Sequence, residues 1–304
     1  MSNPNPTNFI ASTEAKLKNI CKTQDIDYRF ILIRYATERF LYRLSVSKYA
    51  QQFVLKGGNL FIIWQQGRNF RPTIDSDFLY SGQIDESELH KIFESLCQTQ
   101  VDVKTGLQFD ANTIKFSQIK QETKYAGIRI VLTAYLGNAK ISLQFDIGTG
   151  DAITPPAEYA DFPVLLNGAA PHLRIYPKET AISEKFEAMI IKGNLNSRMK
   201  DFYDIWLLTE LFNFDFKTLQ QAVRNTFLQH DVLLPTSTPE CFTKEFYSGS
   251  MKNTQWNAFC QKNNITQLPD SFETAVLRIK AFLEPLFMTP NDLLLKWHAG
   301  KGWQ

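Results

Sequence analysis

The stretch from Val54 to Gly82, VLKGGNLFIIWQQGRNFRPTIDSDFLYSG, limits the possible fold more than any other part of the chain. The segment QFVLK predicts a short strand that ends at Gly57-Gly58, and NLFIIWQQ predicts the helix that follows. TIDSDFLYS then alternates with a period of two residues, which is typical of a strand. A strand, a glycine turn, a helix and a second strand in quick succession predict a sheet with helical connections.

Strand patterns are concentrated in the middle of the chain, and helical patterns dominate both flanks. Two more predicted strands, AGIRIVLTAYLG and AKISLQFDIGTG, are separated by Gly137-Asn138, which is a hairpin signal. We therefore predict an α+β fold with a small mixed or antiparallel sheet flanked by helices and a mainly helical C-terminal half. The predicted domains are N-terminal helices over residues 1–50, a core over 51–178 and a helical domain over 179–304.

The composition excludes several classes of protein. The chain has 304 residues, of which 44% are hydrophobic and 21% charged, with a formal net charge of +2. These are the values of a globular protein with no strong charge bias. No apolar run reaches the roughly 18 residues of a membrane helix, and the first residues lack the pattern of a secretory signal. The four cysteines are scattered, so we expect a cytoplasmic protein with reduced thiols and no membrane partner.

Two carboxylates follow the glycine turn. On a strand, Asp75 and Asp77 project from the same face, so their oxygens can meet at one hard cation. Asp146, on the polar side of the strand SLQFDIG, can supply a third acid. Three such acids make the oxygen-rich site that metal-dependent phosphoryl or nucleotidyl transfer requires, and we expect Asp75 and Asp77 to bind Mg²⁺ or Mn²⁺. Gly57 and Gly58 would let the backbone approach a triphosphate at the start of the following helix.

Three charged residues interrupt apolar helical faces in the C-terminal half. Lys185 lies at the border of the apolar face of TAISEKFEAMIIK, where a lysine either extends along the edge of the core or points into a polar site. Asp201 and Asp204 are three residues apart and are therefore neighbours on the next helix. Acids on an apolar helix are costly unless they are paired or functional, so these two either orient Lys185 or complete the metal shell.

The remaining basic residues give weaker signals. The arginines of the second predicted helix favour a solvated helix face, with a phosphate-contacting strip as the alternative. These arginines are Arg29, Arg34, Arg39 and Arg43.

The histidines have no metal-ligand spacing, which predicts surface or loop positions. They are His90, His172, His230 and His298.

Five motifs follow one another over about residues 50–210: LKGGNL, RPTIDSDF, LQFDIG, YPKETAISEKFEAM and SRMKDFYDIWLL. In this order they resemble the nucleotidyltransferase superfamily. More specifically, they resemble the AbiEii/AbiGii family of toxins, the nucleotidyltransferase partners in bacterial toxin–antitoxin and abortive-infection systems. The chain departs from the family pattern at Gly58, where some members have serine, at Asn59, where threonine is commoner, and at Ser76, where an apolar residue is common. None of these departures removes an acid.

The resemblance implies a nucleotidyltransferase core whose helical C-terminal domain completes the active site. It also implies a functional acid in the pair formed by Asp201 and Asp204, and the sequence leaves the choice between them open. The residues that it assigns to catalysis are Asp75, Asp77, Asp146, Lys185, Asp201 and Asp204. Those that it assigns to nucleotide binding are Lys56, Gly57, Gly58, Asn59, Arg71 and Thr73.

The resemblance further implies a toxin that transfers a nucleoside monophosphate from an NTP to an RNA acceptor and so blocks translation. The acceptor that it favours is the 3′ end of tRNA, and the implied protein partner is a cognate antitoxin. Two alternatives stay open, because a fold does not fix an acceptor. One is a kinase-like or protein-nucleotidylating enzyme on the same fold, and the other is a catalytically inactive module that binds a nucleotide or a partner.

Overall fold

A computed structural model describes most of the chain. The described residues are 6–67, 73–101, 105–119, 127–263, 265, 267–289 and 294–304. They group into two units, of which the first comprises Met1–Gly150 and Glu158–Ile175 and the second comprises Asp151–Ala157 and Tyr176–Gln304. The domain limits expected from the sequence, after residues 50 and 178, stay predictions.

The first unit is built on a seven-stranded sheet. Its strands are β1 (Phe53–Lys56), β2 (Asp75–Tyr80), β3 (Leu107–Ile119), β4 (Gly127–Leu136), β5 (Ala139–Gly148), β6 (Glu158–Asp161) and β7 (His172–Ile175). Its helices are α1 (Pro6–Gln24), α2 (Tyr28–Ser45), α3 (Leu60–Trp64) and α4 (Glu86–Gln98). The strand order is β3-β4-β5-β2-β1-β7-β6, and β2 with β5 and β1 with β7 are its parallel neighbours. This mixed sheet with flanking helices confirms the predicted α+β fold class.

One face of the sheet is apolar and the other carries polar side chains. Along β5, Leu143, Phe145 and Ile147 are buried, and they alternate with residues of the opposite face. Phe145 packs against Phe40 of α2, with the ring centroids 4.7 Å apart. The helix therefore covers the apolar face of β5 and leaves Asp146 on the other.

Three arginines of α2 are buried, which corrects the prediction of a solvated helix face. Arg34, Arg39 and Arg43 are exposed by only 8%, 2% and 7%. Arg39 donates to the carbonyl of Ala169 at 2.8 Å. Arg43 donates to two carbonyls in the last turn of α4 at 3.2 and 2.6 Å, where the helix itself provides no partners. These contacts are structural, and only Arg29 of the four keeps an exposed position.

The second unit is mainly helical. Its helices are α5 (Lys178–Lys192), α6 (Met199–Leu211), α7 (Phe216–Gln229), α8 (Lys244–Ser248), α9 (Ser250–Lys262) and α10 (Phe272–Met288). A small antiparallel sheet has the order β10-β9-β8 and consists of β8 (Phe214–Asp215), β9 (Lys296–His298) and β10 (Gly302–Trp303). In the described ranges of the whole chain, no helix has both the length and the hydropathy of a membrane span.

His230 follows the last residue of α7, in agreement with the predicted loop position, but it lies in a buried polar cluster of the second unit, so the surface alternative is wrong. Its side chain is 5% exposed, and Nδ1 lies 2.8 Å from both carboxylate oxygens of Glu187. Nε2 lies 3.5 Å from Asp151, which also accepts a hydrogen bond from the Tyr176 hydroxyl at 2.8 Å. Hydrogen bonding to Asp151, followed by that to Glu187, raises the pKa of His230 to about 10, although burial acts in the opposite direction.

We expect the free energy of unfolding to fall as the pH rises from the ordinary histidine pKa of 6.5 to about 10. The folded-state pKa of His230 lies above the unfolded value. The contribution of His230 to the free energy of unfolding is therefore complete below the unfolded pKa, and it is lost as the imidazolium deprotonates at higher pH. One group contributes a slope of at most about 1.4 kcal/mol per pH unit. Urea unfolding of the wild type and of His230→Gln across this range measures the effect. An equally steep slope in the variant would contradict it.

Candidate active site

Three aspartates converge on the polar face of the main sheet. Asp75 and Asp77 lie on β2, and the strand register sets Asp77 directly opposite Asp146 of β5. Directly opposed residues on neighbouring strands project from the same face. One carboxylate oxygen from each residue lies within 4.8 Å of the others, and all three residues are partly buried. Three hard oxygen ligands this close together fit a divalent cation such as Mg²⁺ or Mn²⁺.

Gly57 makes room for Asp77. Its φ angle is +71°, in the left-handed region that favours glycine. A Cβ atom added to Gly57 would lie 2.7 Å from Cγ of Asp77, much closer than non-bonded carbon atoms approach each other. Gly58 follows in the same 3₁₀ turn. The glycine turn and the acidic strand are therefore in direct contact.

The helix after the glycine turn is shorter than the predicted segment NLFIIWQQ. It contains five residues, Leu60–Trp64, and is preceded by the 3₁₀ turn Gly57–Asn59. The helix dipole depends on aligned peptide units, so a helix of this length gives little support to the predicted phosphate site at its N-terminus. The close approach of the Gly57 backbone to Asp77 does not depend on the length of this helix.

Asn59 connects the glycine turn to the acidic strand. It is 4% exposed, and its amide nitrogen donates to the carbonyl of Asp75 at 3.0 Å and to the Ser76 hydroxyl at 2.9 Å. These bonds fix the backbone that carries Asp75. They support a role in positioning β2, whereas the nucleotide contact that the resemblance implies stays a prediction.

Arg129 belongs to this group of residues and is absent from the sequence prediction. It lies on β4 opposite Asp146, and its Nε and Nη2 donate to the two carboxylate oxygens of Asp146 at 2.9 and 2.8 Å. The hydrogen bonds to Asp146 raise the pKa of Arg129, and the charges of Asp75 and Asp77 add to this effect. A signal was present in the sequence, because Arg129 is the only charged residue of the strand GIRIVLTAYL.

The second unit contains the other predicted catalytic residues, Lys185, Asp201 and Asp204, in contact with one another. Nζ of Lys185, on α5, lies 3.0 Å from Asp201 and 2.8 Å from Asp204, both on α6. The three side chains are 14%, 6% and 1% exposed. Both acids contact the lysine, so the choice between them as the functional acid stays open.

Three further predicted nucleotide-binding residues complete the set. Lys56 ends β1, and the register sets it opposite Asp77. Thr73 is half-buried and precedes β2 by two residues. Arg71 lies outside the described residues. The functional roles of all three stay predictions.

Two acids on one strand and a third on its parallel neighbour, beside a glycine turn, are the arrangement that the sequence motifs share with nucleotidyltransferases. A family model described as nucleotidyl transferase AbiEii toxin, type IV TA system, matches residues 39–278. Since the match covers most of the chain, the protein belongs to the AbiEii family of nucleotidyltransferase toxins. Membership implies an NTP substrate and an antitoxin partner.

The solved structure of MenT4 shows the same fold at low sequence identity. MenT4, a nucleotidyltransferase toxin from Mycobacterium tuberculosis H37Rv, matches with a TM-score of 0.55 and 15% identity over 87% of this chain and 93% of MenT4. JHP933 from Helicobacter pylori matches with a TM-score of 0.49 and 15% identity over 86% of this chain and 93% of JHP933. No curated protein matches the chain.

Gly57→Ala is expected to destabilise the first unit and to weaken divalent-ion binding. The added Cβ would displace the Asp77 carboxylate, and the left-handed backbone would cost about 1–3 kcal/mol for a non-glycine residue. Gly58→Ala is the matched control, since Gly58 is not among the described glycines with positive φ. Thermal unfolding and a Mn²⁺ titration measure the two effects. Equal losses in both variants would show that the contact between Gly57 and Asp77 is not the decisive feature.

Lys185→Met is expected to lower the free energy of unfolding by about 3 kcal/mol, because it leaves two buried acids without their cation. Lys200→Met is the matched control, since Lys200 occupies an exposed position on α6 and surface substitutions usually stay within about 0.5 kcal/mol. Urea unfolding provides the comparison. Similar values for the two variants would mean that the ion pairs of Lys185 contribute little to stability.

Proposed function

We propose that the protein is a Mg²⁺- or Mn²⁺-dependent toxin that transfers a nucleoside monophosphate from an NTP to RNA. The proposed acceptor is the 3′ end of tRNA, and the proposed consequence is a block of translation. One observation carries the proposal: the oxygens of Asp75, Asp77 and Asp146 lie within 4.8 Å of one another in a member of a nucleotidyltransferase toxin family.

Asp75 and Asp77 would hold the divalent ion, because they present two carboxylates from one strand. A bound ion of this kind neutralises the negative charge that develops on the phosphates during transfer. Gly57, which has no side chain, would let the backbone of the turn approach the triphosphate. The contact between the turn and Asp77 supports these proposed roles.

Asp146 would accept the proton of the attacking hydroxyl group. A carboxylate has about four lone-pair sites, so the two hydrogen bonds from Arg129 leave room for a third. The hydroxyl oxygen forms a bond to the α-phosphorus, the bond from that phosphorus to the pyrophosphate oxygen breaks, and the proton passes to Asp146 and then to solvent. The products are the extended RNA and pyrophosphate.

The test is the transfer of label from α-labelled NTPs to tRNA in the presence of Mg²⁺. Asp75→Asn and Asp77→Asn are each expected to lower the rate by about 100-fold or more, because the metal contributes several kcal/mol of charge stabilisation. Asp161→Asn is the matched control. Its side chain on β6 is 70% exposed, and this variant should keep the wild-type rate.

Other outcomes would identify a different function. Transfer of label from the γ position would support a kinase-like reaction, and label on a protein would support protein nucleotidylation. No transfer with any NTP on a broad RNA panel would count heavily against the proposal. Growth inhibition that persists in Asp75→Asn would favour a binding module without chemistry.

A further inference from the structure

A cleft of ≈ 520 Å³ lies in the first unit, and none of its lining residues belongs to the candidate active site. Its volume falls within the range of small-molecule sites in proteins, about 300–1,000 Å³. Arg34 of α2 supplies the one charged side chain of the lining. The apolar part of the wall consists of Ile20, Ile26, Pro163, Val164 and Leu165.

Arg34 is buried with few acceptors for its hydrogen bonds. The residue is only 8% exposed, and a guanidinium group has five N–H donors. Nη1 donates to the carbonyl of Gly67 at 3.3 Å, which is long for a bond of this type. Nε is buried and has no partner among the described residues. Because Arg34 lines the cleft, an acceptor bound there can use the donors that remain.

The charge of Arg34 is only partly balanced by the protein. Glu38, one turn further along α2, is the acid whose charge acts on Arg34, but its carboxylate is engaged elsewhere. It accepts from the backbone N–H of Leu165 at 2.8 Å and lies 3.4 Å from Nε of Arg39. Burial lowers the pKa of Arg34, and the charge of Glu38 offsets this effect only in part. An anion in the cleft would supply the missing negative charge.

We propose that the cleft binds a small organic monocarboxylate. Its carboxylate accepts from the Arg34 guanidinium, since two oxygens in one plane match the fork of N–H donors. Its hydrocarbon body lies against the apolar wall, which favours it over a small polar anion. A phosphate dianion fits less well, because it would bring a second negative charge close to Glu38. This site does not depend on the proposed nucleotidyl transfer.

The experiment titrates the full chain with benzoate and with benzamide, its neutral counterpart of similar shape, by ligand-detected NMR. We expect a dissociation constant of about 1 mM for benzoate, which is usual for a ligand of this size. Benzamide should bind about tenfold more weakly, because it lacks the charge-assisted hydrogen bonds. Arg34→Met should reduce benzoate binding to the level of benzamide and leave benzamide binding unchanged. Arg29→Met is the matched control, since Arg29 lies at an exposed position of the same helix, and it should keep the wild-type affinities.

Three results would overturn the inference. These are a wild type that does not bind benzoate at about 10 mM, tenfold above the expected dissociation constant, an Arg34→Met variant that binds it as the wild type does, and phenyl phosphate binding that is tighter than benzoate binding and requires Arg34. The last result would identify a phosphate site.

Arg34→Met is expected to fold, because it replaces a poorly paired buried charge by an apolar side chain of similar length, and circular dichroism verifies this. If it does not fold, Val164→Phe provides the second variant. Val164 is half-buried in the wall, so the larger side chain should narrow the cleft and block benzoate and benzamide alike. Unchanged binding of both in Val164→Phe would equally contradict the site.

Discussion

Repulsion between three neighbouring carboxylates is the constraint on which the centre of the first unit depends. Asp75, Asp77 and Asp146 each place an oxygen within 4.8 Å of the others, which is costly in a partly buried position unless cations balance the charge. Arg129 and Lys56 supply cations opposite Asp146 and Asp77 in the strand register. The charges of these acids and cations balance only in the observed register of the strands, because a shift of one residue along a strand turns its side chains to the other face of the sheet. The pairing of four strands and the chemistry of the site are therefore set together.

Local patterns were enough to predict the parts of this arrangement that depend on neighbouring residues. The alternation of TIDSDFLYS placed Asp75 and Asp77 on one face, and the alternation of SLQFDIG placed Asp146 on the polar side of its strand. Gly137-Asn138 marked the hairpin between β4 and β5, which the structure contains. The parallel pairing of β2 with β5 joins distant parts of the chain, and no short-range pattern specifies it. Neither the residue pattern nor the family resemblance predicted this pairing.

The residues that sequence reasoning placed wrongly or left out are charged groups whose partners are distant. Arg129 was visible as a single charge in an apolar strand, but its pairing with Asp146 follows only from the order of the strands. Arg43 looked like a residue of a solvated face, yet it donates to carbonyls at the end of another helix. His230 lacked any ligand spacing and is buried against Glu187. In each case periodicity reveals the apolar side of an element, whereas the partner of a buried charge depends on tertiary structure.

The charged clusters of the two units differ in their access to solvent, and this difference bears on their function. Lys185 and its two acids are 14%, 6% and 1% exposed, and buried ion pairs add little net stability because desolvation offsets their attraction. Apolar residues at these three positions of α5 and α6 would stabilise the helical core at least as much as the ion pairs do, so stability alone does not explain the cluster. The Arg129 side chain is 40% exposed, and Asp75 and Asp77 are only partly buried. The first unit therefore holds Asp75 and Asp77 where an ion can exchange with water, as the proposed reaction requires.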